Sequence, residues 1–442
     1  MTAGLLSSGE ILAAAANANY QWRDRIWNPV LTFWTFLIQV LHPGSACREA
    51  VAQVLAEQAV ESGRRVSPDA SAYCQARQRV PESVFAAALH KVGRSLQAKA
   101  KDQYLWHGRQ VRLVDGSSCS MPDTPELQAE FGQPDGQKRG CGFPVARMVA
   151  MFCWATGAAL DVVIGPYRSS ELVLVQQLWK HLRCGDIVLA DRFYCTYSIL
   201  SELLRRGCDA VFRLHGARSR TMDFRKGKRL GRQDRLMMWE RPRICPRGLS
   251  REQWLSLPEH LVIRVLRFST VVAGFRSRTI TVATTLLDAA AYSSQEIAAC
   301  YGDRWTVELR LRDIKTTMKM DVLRGKSVDV VRKEILMHLL AYNLIRALMW
   351  QAAEQHGCSL HRLSFAGTVE HLNALDPYLW AYGGTARFGV LHALLLVWIA
   401  QDKLPHRPGR LEPRAVKRRP KEYDRLTKPR HELRQALLRK TA

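Results

Sequence analysis

The apolar residues change period once, near residue 109, and this limits the fold more than any other feature of the 442-residue chain. Before that point, VLTFWTFLIQVL (30–41) and CREAVAQVLAEQAVESG (47–63) carry apolar residues at helical spacing, separated by the turn HPGS. Shorter helices are expected over about 70–79 and about 82–98. Beyond it, RQVRLVDGSS (109–118), VARMVAMFCWAT (145–156) and AALDVVIGP (158–166) read as strands, the last two joined at Gly157. SSELVLVQQLWKHL (169–182) then reads as helix, DIVLAD (186–191) as a short buried strand, TYSILSELLRRG as helix and DAVFRLH as strand. Three adjacent strands followed by alternating helix and strand predict a mixed α/β sheet, not a barrel or bundle.

Residues 215 to about 260 interrupt the alternation with an Arg-rich, Gly-punctuated stretch containing Phe224 and Trp239. LVIRVLRFST and SRTITVATTLL resume as strands, so a strand-rich insertion is expected over about 215–290. A helix starting near Ser293 or Ser294 is expected to run to about 319, and another to cover 329–355. Three regions result: a helical one over 1–100, an α/β one over 101–328 holding the insertion, and a helical, basic one over 329–442.

Charge narrows the partners. Lys and Arg number 65 against 40 Asp and Glu, a formal +25, which attracts polyanions and nucleic acid first. The last forty residues hold 14 of those cations and 4 acids, and five prolines oppose helix there before about 430. A phosphate-contacting arm and a solubilising tail are the two readings of this segment. Arg64, Arg65, Arg77 and Arg79, around the turns of the helical region, fit a DNA-binding module or a solvated surface equally well. The eleven cysteines include no Cys-x-x-Cys pair, against a zinc finger and a disulfide framework, and a reducing cytoplasm is expected. No signal peptide is read, and the longest apolar runs fall short of the roughly 18 residues a membrane span needs.

Asp115 and Asp191 are each expected to end a strand, where ligands gather in open α/β sheets, and Glu308 lies in the helix from 294. Two such aspartates and a glutamate are hard oxygen donors suited to Mg²⁺, although each acid alone reads equally as a turn former or a solvated charge. Tyr301, Arg304, Glu308 and Lys315 fall within roughly a 60° arc of a continuous helix, and Arg312 joins that face. The alternative is an ion-pair ladder such as Glu308–Arg312. His181, His215 and His338 have no Cys or His at ligand spacing and read as structural or surface residues.

YGDRWTVELRLRDIK fits Tyr-x2-Arg-x3-Glu-x6-Lys and resembles the signature of bacterial DDE transposases of the insertion sequence four (IS-four) family. LVDGSS is similar to that family's first-aspartate motif, LADRFY to its second, and DRLMMWERP (234–242) to its insertion segment with a Trp before Lys/Arg-Pro. The resemblance implies an RNase H-like core interrupted by the insertion, flanked by the N-terminal helical DNA-binding domain and the basic C-terminal region. It implies two Mg²⁺ ions, replaceable by Mn²⁺, on Asp115, Asp191 and Glu308, and phosphate contacts from Tyr301, Arg304 and Lys315. Cut-and-paste transposition through a DNA hairpin would follow, with Trp239 stacking on a flipped base. The implied partners are double-stranded DNA, at the element's inverted repeats and at the target, and a second copy of the chain on DNA; nucleoid association is expected, without membrane. A DNA-binding protein of transposase descent that no longer cuts is the alternative, and a stand-alone structure-specific nuclease a third reading.

Overall fold

Asn28 caps the second helix of the chain by accepting the Leu31 N–H at 2.9 Å, with Pro29 at the first helical position, where its missing N–H costs nothing. The computed structural model describes residues 4–23, 25–42, 44–62, 67–246, 248–270, 278–405 and 426–441. Five helices come first: α1 (Ser8–Asn17), α2 (Pro29–Leu41), α3 (Cys47–Ser62), α4 (Ser71–Arg79) and α5 (Glu82–Gln97). Arg77 is buried among them, donating to Gln39 at 3.1 Å with its guanidinium 4.7 Å from the Phe36 ring centroid, so it is not available to DNA. Arg79 is exposed, and Arg64 and Arg65 lie outside the described residues.

The strands are β1 (Val111–Ser120), β2 (Val145–Cys153), β3 (Ala159–Pro166), β4 (Ile187–Ala190), β5 (Asp209–Arg213), β6 (Lys228–Gly231), β7 (Asp234–Glu240), β8 (His260–Thr270) and β9 (Arg278–Thr284). They form one sheet in the order β3-β2-β1-β4-β5-β9-β8-β7-β6. β1, β2 and β3 are antiparallel neighbours, whereas β4 and β5 run parallel to β1. Strands β6 to β9 extend this sheet, with β9 antiparallel to β5. Within it, Arg264 is buried against Asp234 and donates to the Tyr292 carbonyl at 2.7 Å, fixing β8 to the start of the next helix.

Short helices connect the strands: α6 (Pro125–Phe131), α7 (Glu171–Leu174), α8 (Tyr197–Arg205), α9 (Gly216–Thr221) and α10 (Arg251–Leu255). The helix expected over 169–182 is α7 followed by a 3-10 helix, Val175–His181. A capping box of Ser293 and Glu296 starts α11 (Ser294–Gly302). The helix expected to continue to 319 does not; α12 (Trp305–Arg312) follows a break at Asp303 and Arg304, and a π-helical turn covers Asp313–Thr317. The later helices are α13 (Val328–Gln355), α14 (Phe365–Ala381), α15 (Ala386–Gln401) and α16 (Arg430–Thr441). Residues 406–425 of the basic arm lie outside the described residues.

α13 passes through the core, and Asn343 pairs both ways with Ala159, accepting its N–H at 2.7 Å and donating to its carbonyl at 2.8 Å. Beside it, α5 comes so close that a Cβ on Gly93 would lie 2.8 Å from the same Ala159 oxygen. The β3 edge is thus covered by helices and closed to strand addition. Among the described residues, no helix is long and apolar enough to cross a membrane.

Candidate active site

The register of β1 on β4 brings the two aspartates together. Val114 pairs with Ala190, so Asp115 and Asp191 follow the same rung of two adjacent parallel strands. Asp115 does not end its strand as expected: β1 continues to Ser120 along β2, and only its partner β4 stops. Asp191 instead caps the 3-10 helix Arg192–Tyr194, its Oδ1 accepting the Arg192 N–H at 2.6 Å.

Glu308 enters from α12, which packs on β1, and accepts from Arg304 Nη2 at 2.8 Å. This Arg304–Glu308 pair is the one formed; Arg312 is exposed and faces Asp313 at 3.7 Å. Burial first, with the charges of Glu308 and Asp191, pushes the Asp115 carboxyl up to about 6 against the opposing Gly116 N–H and Arg304. The three acids therefore share one field. Their donors are all hard oxygens, and an under-compensated, partly buried carboxylate is what a divalent cation relieves, so the residues present fit Mg²⁺. Among the described residues, the one trio of ligand atoms lying within 4.8 Å of one another is His90, Asp161 and His181, not the three acids.

The remaining expected residues divide. Tyr301 is buried, with the Arg304 guanidinium 5.9 Å from its ring centroid, and burial and the Asp191 charge push its hydroxyl up to about 12. Lys315 lies on the π-helical turn, half-buried, and its charge acts on Cys119 of β1. The helix break and the π turn mean that Tyr301, Glu308 and Lys315 do not share one straight helical face; they reach the sheet through two helical segments. Trp239 is 8% exposed on β7, with the Arg218 guanidinium 4.4 Å from its ring centroid, so the open stacking face expected of it is absent.

Two groups escape sequence reading. Glu171, the first residue of α7, accepts from Tyr194 Oη at 3.2 Å and from Arg147 Nη1 at 3.1 Å. Its carboxylate lies against Gly116, thereby joining the segments that carry both aspartates. The second is a basic cavity of about 420 Å³ beside Asp191, lined by Arg192, Arg213, Arg220, Ser219 and Thr281. The arginine run after residue 213 was its only sequence signal. In the N-terminal region Tyr20, Trp22, Arg23, Arg25, Trp27 and Arg79 line a groove of about 650 Å³ that mixes cations with aromatic rings.

Residues 106–344 match the family described as transposase DDE domain. The chain is 28% identical over 373 residues to the transposase InsG for insertion sequence element IS4 of Escherichia coli K12, spanning 82% of this chain and 79% of that protein. It is 37% identical over 54 residues to the Escherichia coli transposase for insertion sequence element IS421, 12% of this chain and 15% of that protein. The cryo-EM structure of the piggyBac transposase synaptic complex with hairpin DNA superposes with a TM-score of 0.47 at 9% identity, over 88% of this chain and 82% of that one.

Proposed function

We propose a mechanism on one premise: the chain belongs to the bacterial DDE transposases of the IS4 family, enzymes that cut and transfer DNA. Its reaction is the Mg²⁺-dependent excision and reinsertion of an insertion sequence, on an RNase H-like core. The observation that carries this reading is the placement of Asp115 and Asp191 one step past the Val114–Ala190 rung, with Glu308 brought to β1 by α12 and all three charges coupled. When bound, two Mg²⁺ ions, or Mn²⁺ in their place, would supply Lewis acidity at the scissile phosphate.

The chain's own residues do the rest. Asp115, Asp191 and Glu308 hold the cations, and Arg304 fixes the Glu308 carboxylate while keeping a second face for phosphate. Lys315 adds a point charge, and Tyr301 supports Arg304 from beneath. Arg192, Arg213 and Arg220 line a cavity of the right charge to receive the DNA backbone next to Asp191. The N-terminal groove supplies the contacts expected of the 1–100 region, and two copies of the chain act together on the paired element ends. Excision goes through a hairpin at the element end.

The test is incubation of the purified chain with its labelled element ends and with target DNA. Mg²⁺-dependent nicks, hairpins and joined products support the reading. DNA binding without cutting at any divalent ion concentration would identify a DNA-binding protein of transposase descent. Asp115→Ala, Asp191→Ala and Glu308→Ala should each abolish cutting while binding persists, and cutting at the normal rate by Glu308→Ala would remove that acid from the set.

A further inference from the structure

Two strands away from Asp115, at the β3 edge, three ligand-type side chains from separate elements meet. His90 stands on α5, Asp161 on β3, and His181 ends the 3-10 helix after α7. His90 Nε2 lies 3.0 Å from Asp161 Oδ1, and His181 Nε2 lies 2.6 Å from Oδ2. The Asp161 side chain is buried, and the two imidazole centroids are 5.2 Å apart. Sequence spacing hid this pairing, because His90 and His181 are 91 positions apart.

Two imidazoles sharing one carboxylate through hydrogen bonds would be the ordinary account, and His181 satisfies it. His90 does not. Its Nε2 is buried and forms no aligned hydrogen bond, despite its approach to Asp161. A buried ring nitrogen 3.0 Å from a carboxylate oxygen, yet poorly aligned for a hydrogen bond to it, is what a coordinating imidazole presents.

The donor set selects the ion. Two imidazole nitrogens and a carboxylate oxygen suit zinc, whereas magnesium prefers an all-oxygen shell. With bonds of about 2.1 Å, neighbouring donors of a tetrahedral zinc lie about 3.4 Å apart, so the 2.6 and 3.0 Å separations here would have to open by less than about 1 Å to admit the ion. The Lys180 ammonium, 3.3 Å from Asp161 Oδ2, competes for that oxygen, but its side chain is largely exposed and can turn to solvent.

We propose that His90, Asp161 and His181 form a site for a zinc-type cation, chemically distinct from the catalytic acids, that fastens α5 of the N-terminal region to the catalytic sheet. Gly93, one turn along α5 from His90, already sets the close approach that such a clamp would hold. Water completes the fourth position.

The test uses the full chain in excess Mg²⁺, which occupies the acids, and titrates zinc and then cobalt. One equivalent of zinc should bind and raise the unfolding temperature. The cobalt adduct should lack the near-ultraviolet charge-transfer absorption of thiolate ligation, which separates this site from the eleven cysteines. His90→Gln and His181→Ala should each lose that equivalent while retaining Mg²⁺-dependent DNA cutting. No zinc uptake by the unaltered chain, a thiolate spectrum, or unchanged uptake in the His90→Gln/His181→Ala variant would overturn the proposal. The spectrum of the unaltered chain decides the matter even if a variant fails to fold.

Discussion

The Glu171 carboxylate occupies the space that a side chain on Gly116 would need: an ideal Cβ there would lie 2.2 Å from Oε2 and 2.4 Å from Cδ. Glycine at 116 leaves room for this carboxylate, and its backbone is not left-handed. Through it, Glu171 reaches across to Tyr194 and ties the strand carrying Asp115 to the turn carrying Asp191. Gly116→Ala should therefore expel Glu171, break its bonds to Tyr194 and Arg147, and destabilise the fold by about 1–3 kcal/mol. DNA cutting should fall more than tenfold while DNA binding is retained.

A double-mutant cycle isolates that contact. Once Glu171 is truncated, the added methyl at 116 has room, so Gly116→Ala should cost much less in the Glu171→Ala background than alone. The measurement is urea unfolding of the four proteins. Strict additivity would mean that the 116 side chain meets something other than Glu171.

Asp115 gives a pH-dependent prediction for the metal-free protein. Its carboxyl rises from 3.8 to about 6 on folding, chiefly through burial. A carboxyl raised in the folded state contributes full stability below its unfolded value and loses it as pH rises through the folded value. The ionised group at pH 7.5 thus costs on the order of 3 kcal/mol, at about 1.36 kcal/mol per pH unit. In EDTA, Asp115→Asn should unfold later than the unaltered chain at pH 7.5, and the two should converge near pH 4. Added Mg²⁺ should stabilise the unaltered chain and close the gap. Equal stability at pH 7.5 in EDTA would mean that Asp115 is better compensated than its surroundings imply.

Charge in the C-terminal arm predicts the salt dependence of DNA binding. Truncation should begin after Pro405, because Lys403 bridges Leu363 and the Leu404 N–H bonds to the Arg362 carbonyl at 2.7 Å. Every cation taken off a DNA phosphate lowers the slope of log K against log salt by about 0.9. A chain ending at 405 should bind unrelated DNA with a visibly shallower slope. An unchanged slope would assign non-specific binding to the Arg192–Arg213–Arg220 cavity and the N-terminal groove.

How far the sequence was legible follows from where each interaction partner lies. Short apolar runs bounded by turn residues mark β1, β2, β3 and β4 because a strand's burial pattern is local. That same pattern cannot tell where a neighbouring strand stops, so Asp115 reads as a strand end although β1 runs on to Ser120. The acids and the Tyr301-to-Lys315 spacing were visible because they are residue types at fixed intervals. The break at Asp303 and Arg304 was not, since local helical periodicity continues across it. Glu171, His90 and the burial of Arg77 depend on contacts with residues distant in sequence, which no local period encodes.

Hairpin formation and first-strand nicking should respond to different aromatic residues. Closing a hairpin unstacks a base, and an aromatic face that accepts it contributes about 1–3 kcal/mol. Trp239 is buried on β7 beneath Arg218, whereas Phe193 is 47% exposed, two residues beyond Asp191 and next to the Arg192 cavity. Phe193→Ala should slow hairpin formation roughly ten- to a hundredfold, at about 1.36 kcal/mol per factor of ten, and leave nicking within a few-fold. Nicked DNA should then accumulate. Trp239→Ala should instead act as a core truncation, costing about 3–5 kcal/mol of stability and lowering nicking and hairpin formation together. The measurement is a time course on labelled element ends that resolves nicked, hairpin and fully broken species, paired with thermal unfolding of each variant. A selective hairpin defect in Trp239→Ala, with Phe193→Ala normal, would return the stacking role to Trp239 and require Arg218 to withdraw from its ring when DNA binds.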